Sequence, residues 1–174
     1  FDLTVELDPN LFSLEPPPGY TLAYQNSLDA LEAQGEHSPE ARKIVEILEL
    51  WSQDSRAQAV EVLLAVDWTE PIEFAGRPYL FTLTEMGFVG LKAEDQRQAI
   101  AQVLDNGGTI RELARKTVAL GRQALADHDY GQAQEYFLAT WELGHLLTRN
   151  PEAMLIVQMV GIAVRKLSAN GLIN

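Results

Sequence analysis

Residues 1–7 alternate strictly, with Phe1, Leu3, Val5 and Leu7 on one side and Asp2, Thr4 and Glu6 on the other. A period of two predicts a half-buried β-strand. One strand can neither complete its own hydrogen-bond ladder nor cover its apolar face, so it is expected to pair with a partner chain or with a later segment of this chain. Asp8-Pro9-Asn10 marks a turn. Leu11 to Tyr20 then reads as an extended linker, because Pro16, Pro17 and Pro18 remove three backbone donors and stiffen the chain; it would pack across a surface through Phe12, Leu14 and Tyr20. Residues 1–26 thus form an extended N-terminal arm.

Beyond the arm the period changes to that of helices. Ser27 can cap a short helix from Leu28 to about Gln34, closed by Gly35. Ser38-Pro39-Glu40 joins a cap, a proline at the first helical position and an early acid, and it opens a helix carrying Ala41, Ile44, Val45, Ile47, Leu48 and Trp51. Asp54 or Ser55 caps the next helix, whose stripe is Ala59, Val60, Leu63 and Leu64. Residues 67–84 are irregular, although Tyr79 to Thr84 has the composition of a strand that could pair with residues 1–7; a buried extended loop is the alternative. Ala99, Ile100, Val103 and Leu104 mark a helix over 93–104, with Asn106-Gly107-Gly108 as its expected stop. The second region therefore covers 27–106.

The third region, 107–174, is predicted to be three helices. Over 109–126, Leu113, Ala114, Thr117, Val118, Leu120, Gly121, Ala124 and Leu125 share one arc, and Arg111, Arg115 and Arg122 share a narrow stripe opposite. Asp127-His128-Asp129 makes a turn. The helix from Tyr130 to Thr148 has an apolar arc wide enough to lie between two neighbours. Pro151 is expected to open the last helix, which is apolar nearly all round through Met154, Leu155, Ile156, Val157, Met159, Val160, Ile162 and Val164. Either the bundle core surrounds such a helix or a partner covers it; core burial is the reading adopted, with a partner as the alternative. The fold class is mainly α, a bundle of about five to seven helices.

Leu120-Gly121, then Asp129-Tyr130-Gly131-Gln132-Ala133, then Phe137, resemble a tetratricopeptide repeat, in which the glycine admits the second helix, the alanine faces it and the phenylalanine fills the gap. The match covers one repeat. Thr117 stands where the pattern has tryptophan, Ala124 replaces its tyrosine, and the closing proline comes late, at Pro151. Repeats of this kind generally need about three units to stand alone. The resemblance therefore implies a helical hairpin inside a larger bundle. Residues 1–20 resemble the last strand and exit of bacterial envelope proteins with a half-barrel sheet, similar to lipoprotein carriers and sigma-factor regulators. That resemblance implies an exported or periplasmic protein whose C-terminal helical part is this chain.

Composition changes this picture in two ways. The 174-residue chain has no cysteine, which removes disulfides, thiolate nucleophiles and cysteine metal sites together. Its net charge of −12 is uneven: residues 1–54 hold 11 acids and 2 bases, and residues 55–174 hold 14 and 11. An acidic chain is repelled by phosphate backbones, so no nucleic-acid partner is expected. The apolar run from Ala153 to Val164 is too short for a transmembrane segment.

The polar candidates are weak. His37, His128 and His145 lack metalloprotease spacing; Glu142 and His145 could touch, but two ligands fall short of the four a structural zinc wants. No serine sits in a nucleophile elbow. Asn106-Gly107-Gly108-Thr109 could receive an anion at a helix start, yet no phosphate-binding lysine accompanies it. No catalytic, cofactor-binding or metal-ligating residue is singled out, and no cofactor is expected. The residues that suggest a surface for another molecule are Arg111, Arg115 and Arg122, together with Met154, Leu155, Met159 and Ile162. The sequence thus predicts a non-catalytic structural or protein-interaction module with a protein partner, or a homo-oligomer. The alternatives are a ligand-binding or enzymatic domain with a dispersed polar site, and a subunit that adds its N-terminal strand to a partner's sheet.

Overall fold

The computed structural model describes residues 36–75, 88–89 and 91–173. The strand predicted for 1–7, the proline-rich linker, the helix from Leu28 and the 79–84 segment lie outside the described residues. Among the described residues there are five helices and no strand: α1 (Pro39–Ser52), α2 (Arg56–Leu64), α3 (Ala93–Ala126), α4 (Tyr130–Thr148) and α5 (Leu155–Ile173). The mainly α prediction holds. α3, α4 and α5 pack on one another as an up-down-up unit, and α1 and α2 form a pair that lies against α3 and α4.

The start of α1 follows from its sequence. Ser38 Oγ accepts the Ala41 N–H at 3.3 Å, satisfying one of the orphan donors of the first turn, and Pro39 needs no partner there. The helix buries Ala41, Ile44, Ile47 and Leu48. It ends with Asp54 at φ 60°, where the Asp54 and Ser55 N–H groups close back on the Trp51 and Leu50 carbonyls. The α3–α4 turn is built the same way. His128 sits at φ 63°, and the His128 and Asp129 N–H groups return to the Leu125 and Ala124 carbonyls. Asp129 Oδ1 then caps α4 by accepting the Gln132 N–H at 3.0 Å. A left-handed position costs a Cβ-bearing residue about 1–2 kcal/mol. His128→Gly is therefore expected to raise stability by roughly 0.5–1 kcal/mol after the glycine's extra chain entropy, read as a higher urea midpoint.

The sequence reading is corrected at α3. The two helices expected over 93–104 and 109–126 are one 34-residue helix, so the stop at Asn106-Gly107-Gly108 does not exist. Glycine weakens a helix by only about 1 kcal/mol per residue, and packing overrides that. Val103 and Ile110 are buried on either side, and a Cβ at Gly107 would stand 3.3 Å from Val160 Cγ2. Gly107 serves the contact between α3 and α5. The anion-receiving reading of 106–109 falls with the stop, because amides inside a helix are already bonded to carbonyls one turn back.

A second correction concerns the last helix. It begins at Leu155, not Pro151. Asn150 Oδ1 accepts the Glu152 N–H and the Asn150 carbonyl accepts the Ala153 N–H, which makes a turn. Gln158, the one polar interruption of the apolar run, holds that turn by donating to the Pro151 and Ala153 carbonyls at 3.2 and 3.1 Å. Nor is α5 enclosed by core. Val157, Gly161, Val164, Ser168 and Gly171 form its buried side, while Leu155, Met159, Ile162 and Leu172 are exposed among the described residues.

The α4–α5 contact is made at backbone distance. A Cβ on Gly144 would lie 2.8 Å from the Gly161 carbonyl oxygen, and one on Gly161 would lie 2.7 Å from that of Gly144. Further along, Ser168 Oγ donates to the Phe137 carbonyl at 2.7 Å. Phe137 itself fills the far end of the bundle between Gly121 of α3 and Gly171 of α5. The packing roles assigned to Gly121, Ala133 and Phe137 are those seen: Ala133 and Phe137 are buried in one cluster with Val118 and Ala124.

Candidate functional site

An apolar groove of about 850 Å³ lies between the first halves of α3 and α5. Its floor includes Val103, Gly107, Val160 and Ala163; its walls are Ile100 and Leu104 on one side and Leu155 and Met159 on the other. Phe88 and Val89 stand at its edge, and Arg111 is its single charged lining residue. The exposure is large for such side chains: Leu104 52%, Leu155 64% and Met159 61%. Contiguous apolar surface of this kind is uncommon on a folded domain.

Of the predicted surface residues, Arg111, Met154, Leu155 and Met159 come together in this groove. Ile162 extends the exposed strip along α5 but does not line it. The arginine stripe divides. Arg115 and Arg122 border a smaller recess with Val118, Leu167 and Asn170, where Arg122 Nη2 donates to the Asn170 carbonyl at 3.4 Å and Arg115 pairs with Glu112. The stripe runs along the edge of the buried arc, not opposite it, because Gly107 and Val118 beside it pack inward.

Sequence reasoning missed the groove wall on α3. Ile100 and Leu104 share the predicted apolar stripe with Ala99 and Val103, but only the latter two are buried. The signal was present: at 100° per residue these four positions spread over about 140°, wider than a single neighbouring helix covers. Phe88 and Val89, which are helical, carried no such signal.

The polar groups serve the architecture. Glu40, buried at the start of α1, accepts Lys43 Nζ at 3.0 Å on both oxygens and the Asp67 N–H at 2.8 Å, while Lys43 also donates to the Ala65 carbonyl at the end of α2. The Asp67 N–H, and after it the Lys43 bond, hold the Glu40 carboxyl below its ordinary value of 4.5. Asp67 is lowered too, by the Thr69 hydroxyl and then the Thr69 N–H. A depressed folded-state pKa contributes stability that is present above the ordinary value and is lost as pH falls through the depressed one. Glu40→Gln is thus expected to cost about 1 kcal/mol at pH 7. The gap should close below pH 4.5, once the wild-type carboxyl is itself protonated; urea unfolding at several pH values measures it.

His37 accepts the Ala75 N–H on Nδ1 at 3.0 Å, and the Ser38 backbone and hydroxyl pair with Glu73. Arg149 reaches from the end of α4 to the Ile72 carbonyl at 2.7 Å. These bonds fix the 72–75 stretch against α1 and α4. His145 is exposed on α4, and His128 is consumed by its turn. Among the described residues no group of three or more His, Asp or Glu lies close enough to hold a metal ion, and no helix is long and apolar enough to cross a membrane.

The chain matches no protein-family model, no curated protein and no solved structure.

Proposed function

We propose that this chain is a non-catalytic protein-interaction module whose working face is the α3/α5 groove. The observation that carries the reading is the exposure of Leu104, Leu155 and Met159 over a floor that is closely packed. Burying three such side chains would contribute about 1.5–3 kcal/mol each, which is the scale of an interaction site and a poor use of a free surface. Of the two carboxylates with lowered pKa values, Glu40 is committed to Lys43 and the Asp67 N–H, and Asp67 to Thr69 within the loop after α2. On this reading the α3–α4 hairpin is a single tetratricopeptide-like unit used as scaffold, with α5 sealing it. The resemblance of residues 1–20 to the exit of envelope half-barrel proteins supports a place in an exported bacterial protein, as its C-terminal helical part.

The test is a photo-reactive residue placed at Met159 in the full chain, with the same residue at Glu135, exposed on α4 outside the groove, as reference. Irradiation in cells followed by peptide mapping should give one discrete adduct from position 159, at about ten times the yield from 135. Equal yields at both positions, or no adduct from 159, would refute the groove as an interaction face.

A further inference from the structure

The geometry points to an occupant, and we propose that the groove is the seat of this chain's own segment Leu11–Glu15. The inference rests on the groove being the interaction face and adds what fills it. The groove asks for a short apolar segment that carries one carboxylate at one end. Its lining is apolar except for Arg111, which among the described residues has no ion pair. Residues 1–35 hold six carboxylates and no lysine or arginine, the most one-sided charge in the chain. Within them Leu11-Phe12-Ser13-Leu14-Glu15 has three apolar side chains followed by one acid, and Pro16, Pro17 and Pro18 come next.

The periods agree. Glu15, directly before Pro16, is biased to the extended, polyproline-like range; if the segment continues the form of the proline run, it has three residues per turn and a rise of about 3.1 Å. That places Leu11 and Leu14 on one edge, Phe12 and Glu15 on the next, and Ser13 outward. Two adjacent edges fill a groove with two walls. From Leu11 to Glu15 such a segment runs about 12 Å. Along α3, Leu104 to Arg111 covers about 10 Å and Ile100 to Arg111 about 16 Å. With Glu15 at Arg111, the apolar side chains therefore fall between the Ile100/Leu104 and Leu155/Met159 walls. By contrast, residues 1–7 alternate so that Asp2 and Glu6 point away from the apolar face, and none could reach Arg111 while that face is docked.

Reach does not limit the contact. The 20 residues from Pro16 to Gly35 can span up to about 66 Å, and α3, the longest element, runs about 51 Å. A tether of this kind also holds the segment at millimolar effective concentration, and the prolines reduce the entropy lost on docking.

The absence of native cysteine makes the test clean. In the full chain, Ser13→Cys is combined with Asp105→Cys, which is exposed beside Leu104 and leaves the lining intact; the reference pair is Ser13→Cys with Glu135→Cys. A short bismaleimide should join 13 to 105 at monomer mass at least about ten times faster than 13 to 135. Arg111→Glu should slow the 13–105 reaction about fivefold, and Glu15→Arg added to it should restore the rate. Equal rates for the two pairs, a product only at dimer mass, or no restoration by the reversed charges would overturn the assignment. The photo-adduct separates the two readings. An adduct from Met159 that maps to another protein, alongside equal thiol rates, removes the arm and keeps the module; no adduct removes both.

Discussion

Phe137→Ala is expected to lower the unfolding free energy by about 3–5 kcal/mol, a large part of the 5–15 kcal/mol typical of a domain. The ring is buried between α3 and α5, in contact with Val118, Ala124 and Ala133, and Leu125 and Leu167 close the cluster. Its neighbours are held by long helices and cannot collapse into the space, so the cavity term adds to the lost transfer energy. The sharper expectation concerns Gly171. A Cβ there would lie 2.5 Å from Phe137 Cε1 and 3.0 Å from Val118 Cγ1. Gly171→Ala alone should therefore destabilise by about 1–3 kcal/mol through overpacking. In the Phe137→Ala background the ring is gone, and the same change should stabilise by up to about 1 kcal/mol, the helix preference of alanine over glycine. A double-mutant cycle in urea reads the change of sign. If Gly171→Ala has the same effect in both backgrounds, the two positions are not in contact.

Gly161→Ala should cost about 2 kcal/mol. In an exposed helix interior the same change gains about 1 kcal/mol, so the sign reports the packing. The added methyl would meet the Gly144 carbonyl oxygen and Thr148 Cγ2 at 2.7 Å and Leu147 Cβ at 2.9 Å. The carbonyl belongs to a helix and cannot turn aside, so α4 and α5 must move apart. That separation loosens the Arg165 guanidinium stacked 4.4 Å over Trp141, as well as the apolar contacts of Leu143, Val157 and Val164. The measurement is the urea midpoint at constant slope. A stabilised Gly161→Ala would mean that the helices are not in backbone contact there.

What the sequence made legible was local. Ser38-Pro39 marked a helix start because a cap and a proline act on donors within three residues of themselves. Gly121, Ala133 and Phe137 were readable because a hairpin of consecutive helices brings near positions together. The missed features depend on distant partners. Gly107 looked like a stop because its reason, Val160, lies 53 residues on. The two-sidedness of α5 was hidden because apolar residues occupy both its faces, so periodicity could not say which side the bundle takes. His37 had no sequence signal at all, since its partner is a backbone amide at Ala75. The groove itself was half legible. Met154, Leu155 and Met159 were named from composition, whereas Ile100 and Leu104 were absorbed into an apolar stripe.

The continuity of α3 bears on cooperativity. Ala99, Val103, Ile110 and Leu113 belong to the main apolar cluster, and Val118 and Ala124 to the one around Phe137, with Leu167 packed against both. Had the chain broken at residues 106–108, the piece carrying Ala99 and Val103 could have opened by itself, as a separate foldon. One unbroken ladder of backbone hydrogen bonds makes the loss of either cluster a loss to the other, so the two ends of the bundle melt together.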